Sequence, residues 1–377
     1  MAEPLALYIH WPFCVSKCPY CDFNSHVRAE VDQDQWREAL LADLAHEARL
    51  LPGRTLNSIF FGGGTPSLME PATVQALIDA ARTHWAPADD LEITLEANPN
   101  SVEAARFADL AAAGVNRVSL GLQSFDNDAL AFLGRAHSTS EGLGALEIAQ
   151  KTFERVSFDL IYALPGDNEP GWSASLDRAL GLGTTHLSLY QLTIEPGTRF
   201  AALHAAGKLE PLDVDVAALL YELTSERTAA AGLPAYEISN HAAAGAQSRH
   251  NLAYWRYGDY AGVGPGAHGR RTGMRTVRHR KPENFLSGLE RNGHGIAEEA
   301  ALEPREAADE ALVMGLRLSD GIDAGALERR FGLPLVNWNA IGRLVDSGHV
   351  ERSEQRVKVT PRGRLVLDRL LAEMAVC

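Results

Sequence analysis

The sequence predicts an α/β fold: a large domain of repeated βα units around a parallel sheet, then a small α+β domain. Two observations carry this. Short β-rich runs alternate with longer helical patterns six times between Leu5 and Ala231, the signature of βα repetition. At 377 residues and 46% apolar content, the chain can bury one large core and a second smaller one. From about Val277 it carries more charge and fewer glycines, which suggests a linker. The expected spans are 1–235 for the βα core, 236–295 for glycine-rich loops and the linker, and 296–377 for the C-terminal domain.

Strands are expected at Leu5–His10, Leu56–Phe61, Leu91–Glu96, Arg117–Gly121, Ser157–Tyr162 and His186–Gln191. Between the first two, Asp34–Leu51 repeats Trp36, Leu40, Leu44, Ala48 and Leu51 at three- and four-residue spacing, which gives a helix one apolar face. Pro52-Gly53 ends it. Similar patterns occupy Pro71–Trp85, Val102–Ala113, Ser138–Phe153, Gly171–Leu182 and Val214–Ala231. Six such units could close part of a barrel or form an open doubly wound sheet, and periodicity alone does not choose. In either, ligands lie at the carboxyl ends of the strands.

The C-terminal region reads as a helix at Glu303–Leu318, then a helix pair, Asp323–Phe331 and Trp338–Ser347, joined through Gly332-Leu-Pro334. Arg356–Thr360, Pro361-Arg-Gly363 and the helix Arg364–Met374 complete a winged-helix-like outline. Such an outline suits DNA binding or a protein-contact or lid module. A net charge of −14 and a pI near 5.4 speak against nucleic acid, which needs a basic footprint. No run approaches the ~18 apolar residues of a membrane helix, and the N-terminus lacks a basic segment followed by an apolar core. A cytoplasmic location is expected, where cysteines serve metals rather than disulfides.

Three of the four cysteines fall in Tyr8-Ile-His-Trp-Pro-Phe-Cys14-Val-Ser-Lys-Cys18-Pro-Tyr-Cys21-Asp-Phe-Asn24, at C-x3-C-x2-C spacing. The fourth, Cys377, reads as an incidental free thiol. Soft thiolates select zinc, copper(I) or iron–sulfur groups. Three ligands leave one position open, whereas structural zinc wants a fourth, and His10 and His26, the close candidates, lack finger-like spacing. Zinc, a [4Fe-4S] cluster and three unrelated thiols all remain readings of the spacing.

Other chemistry-bearing residues follow the strands: Gly62-Gly63-Gly64-Thr65-Pro66, Glu96-Ala-Asn-Pro99, Gly121-Leu-Gln-Ser124 and the run Asp159–Gly166. Each has a plain alternative. The glycines could form only a tight turn, Glu96 a strand-end surface carboxylate, and Arg135 a solvated helix residue. Tyr236-Glu-Ile-Ser-Asn240, His250-Asn-Leu-Ala-Tyr-Trp255 and Gly262-Val-Gly-Pro-Gly-Ala-His268-Gly269 are glycine-rich enough overall to read as loops near the barrel mouth.

C-x3-C-x2-C followed by Gly62-Gly-Gly-Thr-Pro66 resembles the radical S-adenosylmethionine (SAM) superfamily. Tyr8-Ile-His10 with Pro12-Phe13-Cys14 is similar to the branch holding the oxygen-independent coproporphyrinogen III dehydrogenases and the HemW-like haem chaperones. Cys21-Asp-Phe-Asn-Ser25 and His250-Asn-Leu-Ala-Tyr-Trp255 resemble the chaperones. The resemblance runs over nearly the whole chain. It implies a partial (β/α)6 TIM-like barrel with the C-terminal domain beside it. It implies that Cys14, Cys18 and Cys21 hold a [4Fe-4S] cluster whose open iron chelates SAM. Gly63, Gly64 and Thr65 would meet the methionine part, and Glu96 its cationic amino group. Gln123, Arg135, Asp159 and Tyr8 match further SAM positions, Tyr20 the aromatic near the adenine, and Thr193 a SAM-pocket position whose residue type differs. His250 would ligate haem, with His268 and His241 as weaker candidates. Trp11 departs from the family's usual aliphatic residue.

Three functions follow. A haem chaperone would hold the cluster, SAM and haem, and pass haem to apoproteins, respiratory ones among them. It could act as a homodimer and meet the membrane only through its partners. A radical SAM dehydrogenase would use the same cofactors to form a 5′-deoxyadenosyl radical. A zinc-stabilised binding protein would do neither, so whether the chain is an enzyme stays open. The dehydrogenases' motif resembles C-x3-C-x2-C-x-C, and Phe23 stands here at the place of its last cysteine. That residue and the His250–Trp255 hexapeptide favour the chaperone.

Overall fold

The computed structural model describes residues 3–376; Cys377 lies outside the described residues. Six parallel strands, Pro4–Trp11, Thr55–Gly63, Ala86–Ala97, Arg117–Gln123, Arg155–Tyr162 and His186–Gln191, neighbour one another in the order of the chain. Unreversed order means single winding, so the sheet is a barrel wall; a doubly wound sheet reverses at a switch point. The wall does not close. It runs from an edge at Ile296–Ala301 to an edge at Asn240–Ala242.

Alternation decides what each face carries. Leu5, Leu7 and Ile9 of the first strand, Ile59 and Phe61 of the second and Ile93 and Leu95 of the third are sealed against the outer helices. The opposite face carries Tyr8, Ser58, Phe60, Glu92, Glu96, Ser119, Ser157 and Asp159, a polar barrel interior. The helices fall within two residues of expectation at Gln33–Leu50, Pro71–His84, Thr139–Thr152, Glu169–Gly181 and Val214–Ala230. The helix expected over Val102–Ala113 is broken into Ser101–Ala104 and Phe107–Ala112. At the break Arg106 donates to the Met69 carbonyl at 2.7 Å.

The segment 236–295 departs from its expected loop character. Tyr260–Val263 pairs in parallel with the first strand, and His268–Arg271, Met274–Arg278 and Ile296–Ala301 extend the sheet antiparallel. Its glycines serve strand packing: a Cβ on Gly262 would collide with the His268 carbonyl, and one on Gly264 with the His10 carbonyl. Ile296–Ala301, which the sequence groups with the C-terminal domain, is thus an edge of the main sheet.

The C-terminal part has its own core of Ala308, Leu312, Ile322, Ile341, Val357 and Leu371 among others. Pro304–Gly315, Ala324–Phe331 and Trp338–Asp346 are helical, and Ile322–Asp323, Arg356–Val359 and Val350–Ser353 form a three-stranded sheet. Gly332 ends its helix at φ 70°, the left-handed turn glycine favours. This is the winged-helix-like outline expected.

Candidate functional site

The cysteine loop stands on an aromatic base. Trp11, fully buried, meets Phe13 edge-on at 5.1 Å and Trp36 at 6.2 Å, and Trp36 stacks on Phe285. An indole fills this space where an aliphatic residue would leave it open. Phe13–Cys14 pairs with His26–Val27, which closes the loop on itself. Nε2 of His10 lies 2.8 Å from the Asn24 carbonyl, and Asn24 donates to the carbonyls of Pro265 and Arg280.

Cys14, Cys18 and Cys21 are free, half-buried thiols on this loop. Among the described residues, no three Cys, His, Asp or Glu side chains are drawn together around a point a metal ion could fill. The donor chemistry nevertheless fits a thiolate-held iron–sulfur group. His10, the nearest candidate for a fourth zinc ligand, has both ring nitrogens engaged, one by Asn24 and the other by Tyr8 Oη at 3.0 Å. Burial pushes the Cys14 and Cys21 thiols up, so a metal must displace their protons.

Three side chains join two of the cysteines, and a fourth braces them. Thr65 donates to Cys14 Sγ at 3.5 Å, and Asn98 donates through Nδ2 to Thr65 Oγ1 at 3.2 Å. Arg135 donates through Nη2 to Asn98 Oδ1 at 2.6 Å and through Nη1 to Cys18 Sγ at 3.6 Å. The fourth is Glu103, buried, which holds Asn98 by accepting from its backbone N–H and its Nδ2. Arg135 also bonds the Gly121 carbonyl, so it is no solvated surface residue. Nε of Arg135 and Oε1 of Gln123 are buried without a partner, as groups awaiting a polar ligand would be. Gln123 sits at φ 66° beside a register shift in its strand, which turns it off the regular strand path.

Gly63 adopts φ 114°, and a Cβ there would lie 2.6 Å from the His10 ring. A Cβ on Gly64 would lie 2.6 Å from the Phe13 carbonyl. These glycines therefore answer a packing need as well as offering amides: the Gly63 N–H donates to Glu96. Burial, with Asp159 nearby, pushes Glu96 up to about 8. Asp159 is itself raised by burial to about 6, although Ser119 donates to it at 3.2 Å and Ser188 also bonds it. Two carboxyl groups deep in one mouth make a site that a cation would relieve. A hollow of about 570 Å³ opens on the cysteine loop, lined by Cys18, Cys21, Phe132, Thr198, Arg199 and Phe200, and Tyr20 packs on Phe200 at 6.4 Å.

His250 is not in a loop. It lies in the helix Arg249–Trp255, 5% exposed, in the barrel interior. Its ring stacks on Phe60 at 4.9 Å, stands 6.1 Å from Tyr8, and places Nδ1 3.2 Å from Ser58 Oγ. Burial lowers it to about 3, so the imidazole is neutral. The helix forms here because Ser248 caps it, its Oγ accepting from the Asn251 N–H at 3.3 Å. His241 is buried against Thr228 at 2.9 Å, His268 is exposed on a strand, and Thr193 is exposed beyond the last barrel strand. None of these three joins the group around Cys14 and Cys18. The sequence signals Asn98 only as part of Glu96-Ala-Asn-Pro99 and gives no sign of Glu103, Ser58 or Glu92.

Residues 8–179 match the family model of the radical SAM superfamily, and residues 302–366 match the HemN C-terminal domain. The chain is 45% identical to the haem chaperone HemW of Escherichia coli over 76% of each chain. It is 36% identical to HemW of Haemophilus influenzae over 98% of this chain and 97% of the relative. It is 39% identical to the mouse mitochondrial radical S-adenosyl methionine domain-containing protein 1 over 97% and 86%. In fold it matches the E. coli coproporphyrinogen III oxidase HemN, with TM-score 0.83 and 22% identity over 99% of this chain and 90% of that one. The chain belongs to the radical SAM superfamily and, within it, to the family of the haem chaperones called HemW.

Proposed function

We propose that this protein is a haem chaperone that holds a [4Fe-4S] cluster on Cys14, Cys18 and Cys21, binds SAM at the barrel mouth, and carries haem to acceptor proteins. The observation that carries the reading is His250. A neutral imidazole, with Nδ1 already engaged by Ser58, leaves Nε2 as the nitrogen for a haem iron. When bound, the cluster would supply an open iron for the SAM amino and carboxylate groups.

The chain's own residues do the rest. Glu96 beside Gly63 would, once ionised, accept from the SAM amino group, and Asp159 would accept from a hydroxyl. Arg135 and Thr65 donate to the sulfurs of Cys18 and Cys14 and would remain their partners beside a bound cluster. Phe23, 58% exposed, occupies the place where the dehydrogenase motif carries a cysteine, which speaks against the alternative reading as a coproporphyrinogen III dehydrogenase.

An anaerobic haemin titration of the cluster-reconstituted protein, read at the Soret band, tests the proposal. Saturable binding that weakens in His250→Ala is expected. Absence of saturable binding, together with turnover of coproporphyrinogen III, would overturn it in favour of the enzyme. For the cluster, Cys18→Ser should lose both the brown chromophore and SAM binding, whereas four irons retained in that variant would refute the assignment.

A further inference from the structure

Glu92 is fully buried in the barrel, on the same strand and face as Glu96. Oε2 accepts from Arg117 at 3.0 Å and Arg155 at 3.2 Å. Oε1 accepts from the backbone N–H of Arg249 at 2.9 Å, from that of His250 at 3.2 Å, and from Ser248 Oγ at 3.4 Å. A charge taken out of water this far persists only when its lone pairs are filled, and here they are filled by two guanidiniums and the first turn of the helix that carries His250. A negative group at a helix N-terminus is favoured by the unsatisfied amides and dipole there. The carboxylate thus fixes both the depth and the rotation of that turn. On the other side of the ring, Ser58 meets Nδ1 and Phe60 stacks on the imidazole face.

We infer that Glu92 and Ser58 are positioning residues for the haem ligand: Glu92 anchors the His250 helix inside the barrel, and Ser58 selects the ring nitrogen offered to iron. This rests on the reading of His250 as that ligand. Ser58 Oγ stands 3.2 Å from Nδ1, where it can accept from Nδ1–H. That tautomer leaves the lone pair on Nε2. A histidine held in this way keeps its orientation and gains basicity, as outer partners of metal-bound imidazoles do. The ring then needs little reordering when iron arrives.

The test uses the full chain with its cluster reconstituted, in native form and as Glu92→Gln, Ser58→Ala and His250→Ala. Each is titrated anaerobically with haemin, and the ferric haem is read by electron paramagnetic resonance for spin state and axial ligation. Iron content and SAM binding report on whether the barrel mouth is intact. Expected is a loss of haemin affinity of about tenfold to a hundredfold in Glu92→Gln and Ser58→Ala, with a shift of the ligation signature and unchanged iron and SAM binding. Because Glu92→Gln removes a buried charge from two arginines and could unfold the barrel, Ser58→Ala carries the test if that variant is insoluble. Native affinity and an unaltered signature in Ser58→Ala, with His250→Ala impaired, would overturn the positioning roles and leave the ligand assignment standing. Native behaviour in His250→Ala would overturn both.

Discussion

Arg135 donates through Nη2 to Oδ1 of Asn98 at 2.6 Å, and the same guanidinium lies against Cys18 and the Gly121 carbonyl. One side chain thereby ties the ends of the third and fourth strands to the cysteine loop. Arg135→Ala leaves Asn98 Oδ1 and the Gly121 carbonyl without this donor. The expected loss of stability is about 1.5–3 kcal/mol, with weaker SAM binding and faster iron release. Anaerobic denaturant unfolding and chelator-challenge kinetics measure the two effects.

The carboxyl pair in the mouth makes SAM binding depend on pH. A SAM amino group that donates to Glu96 while its lone pair meets iron requires that carboxylate ionised, and in the ligand-free protein burial raises Glu96 to about 8 and Asp159 to about 6. Affinity should therefore fall as pH drops below about 8, and binding near neutral pH should release the Glu96 proton in addition to the one the amino group gives up on meeting iron. Calorimetry in buffers of different ionisation enthalpy reads the release, which Glu96→Gln should reduce while removing most of the affinity.

The same shift has a stability consequence of opposite sense to an ordinary ion-paired carboxylate. A folded-state value raised from 4.5 to about 8 means the fold holds the proton more tightly than the unfolded chain does. Stability of the ligand-free protein then declines as pH rises from about 4.5 to 8 through this group. Glu96→Gln should flatten that part of the stability–pH curve.

Gly63→Ala should destabilise by about 1–3 kcal/mol, since it combines a left-handed backbone with a contact on the His10 ring. His10 holds Asn24 and so the exit of the cysteine loop. A lowered melting temperature should thus come with lower iron content, whereas normal iron loading would show that the loop tolerates the displacement.

Arg278, fully buried, pairs with Asp43 at 3.2 Å and Glu47 at 2.5 Å, while Asp43 also accepts from the amides of Gly264 and Gly295. This network fastens the helix Gln33–Leu50 to the strands that extend the sheet. Arg278→Met keeps volume but leaves Asp43 with only the two amide donors and Glu47 with only Arg271 as its cation, at an expected cost of about 3 kcal/mol. Chemical denaturation would measure it.

The six parallel strands, their helices and the strand ends that carry Gly63, Glu96, Gln123 and Asp159 were determined by the sequence itself. Apolar period and turn residues are local properties, and parallel βα units place their ligand face by rule. The cysteine spacing was equally local. Tertiary structure alone decided that the His250 hexapeptide is a helix with His250 buried, because seven residues are too few to display a helical period. It alone decided that Tyr260–Val263 is a seventh parallel strand, since its glycine marks a close approach between strands and reads locally as a turn. Glu92, Ser58 and Glu103 were hidden for a shared reason. A polar residue on one face of a strand or short helix looks solvated until the barrel curls that face inward, and only then do its partners, as many as 192 residues away in the chain, come within hydrogen-bonding reach.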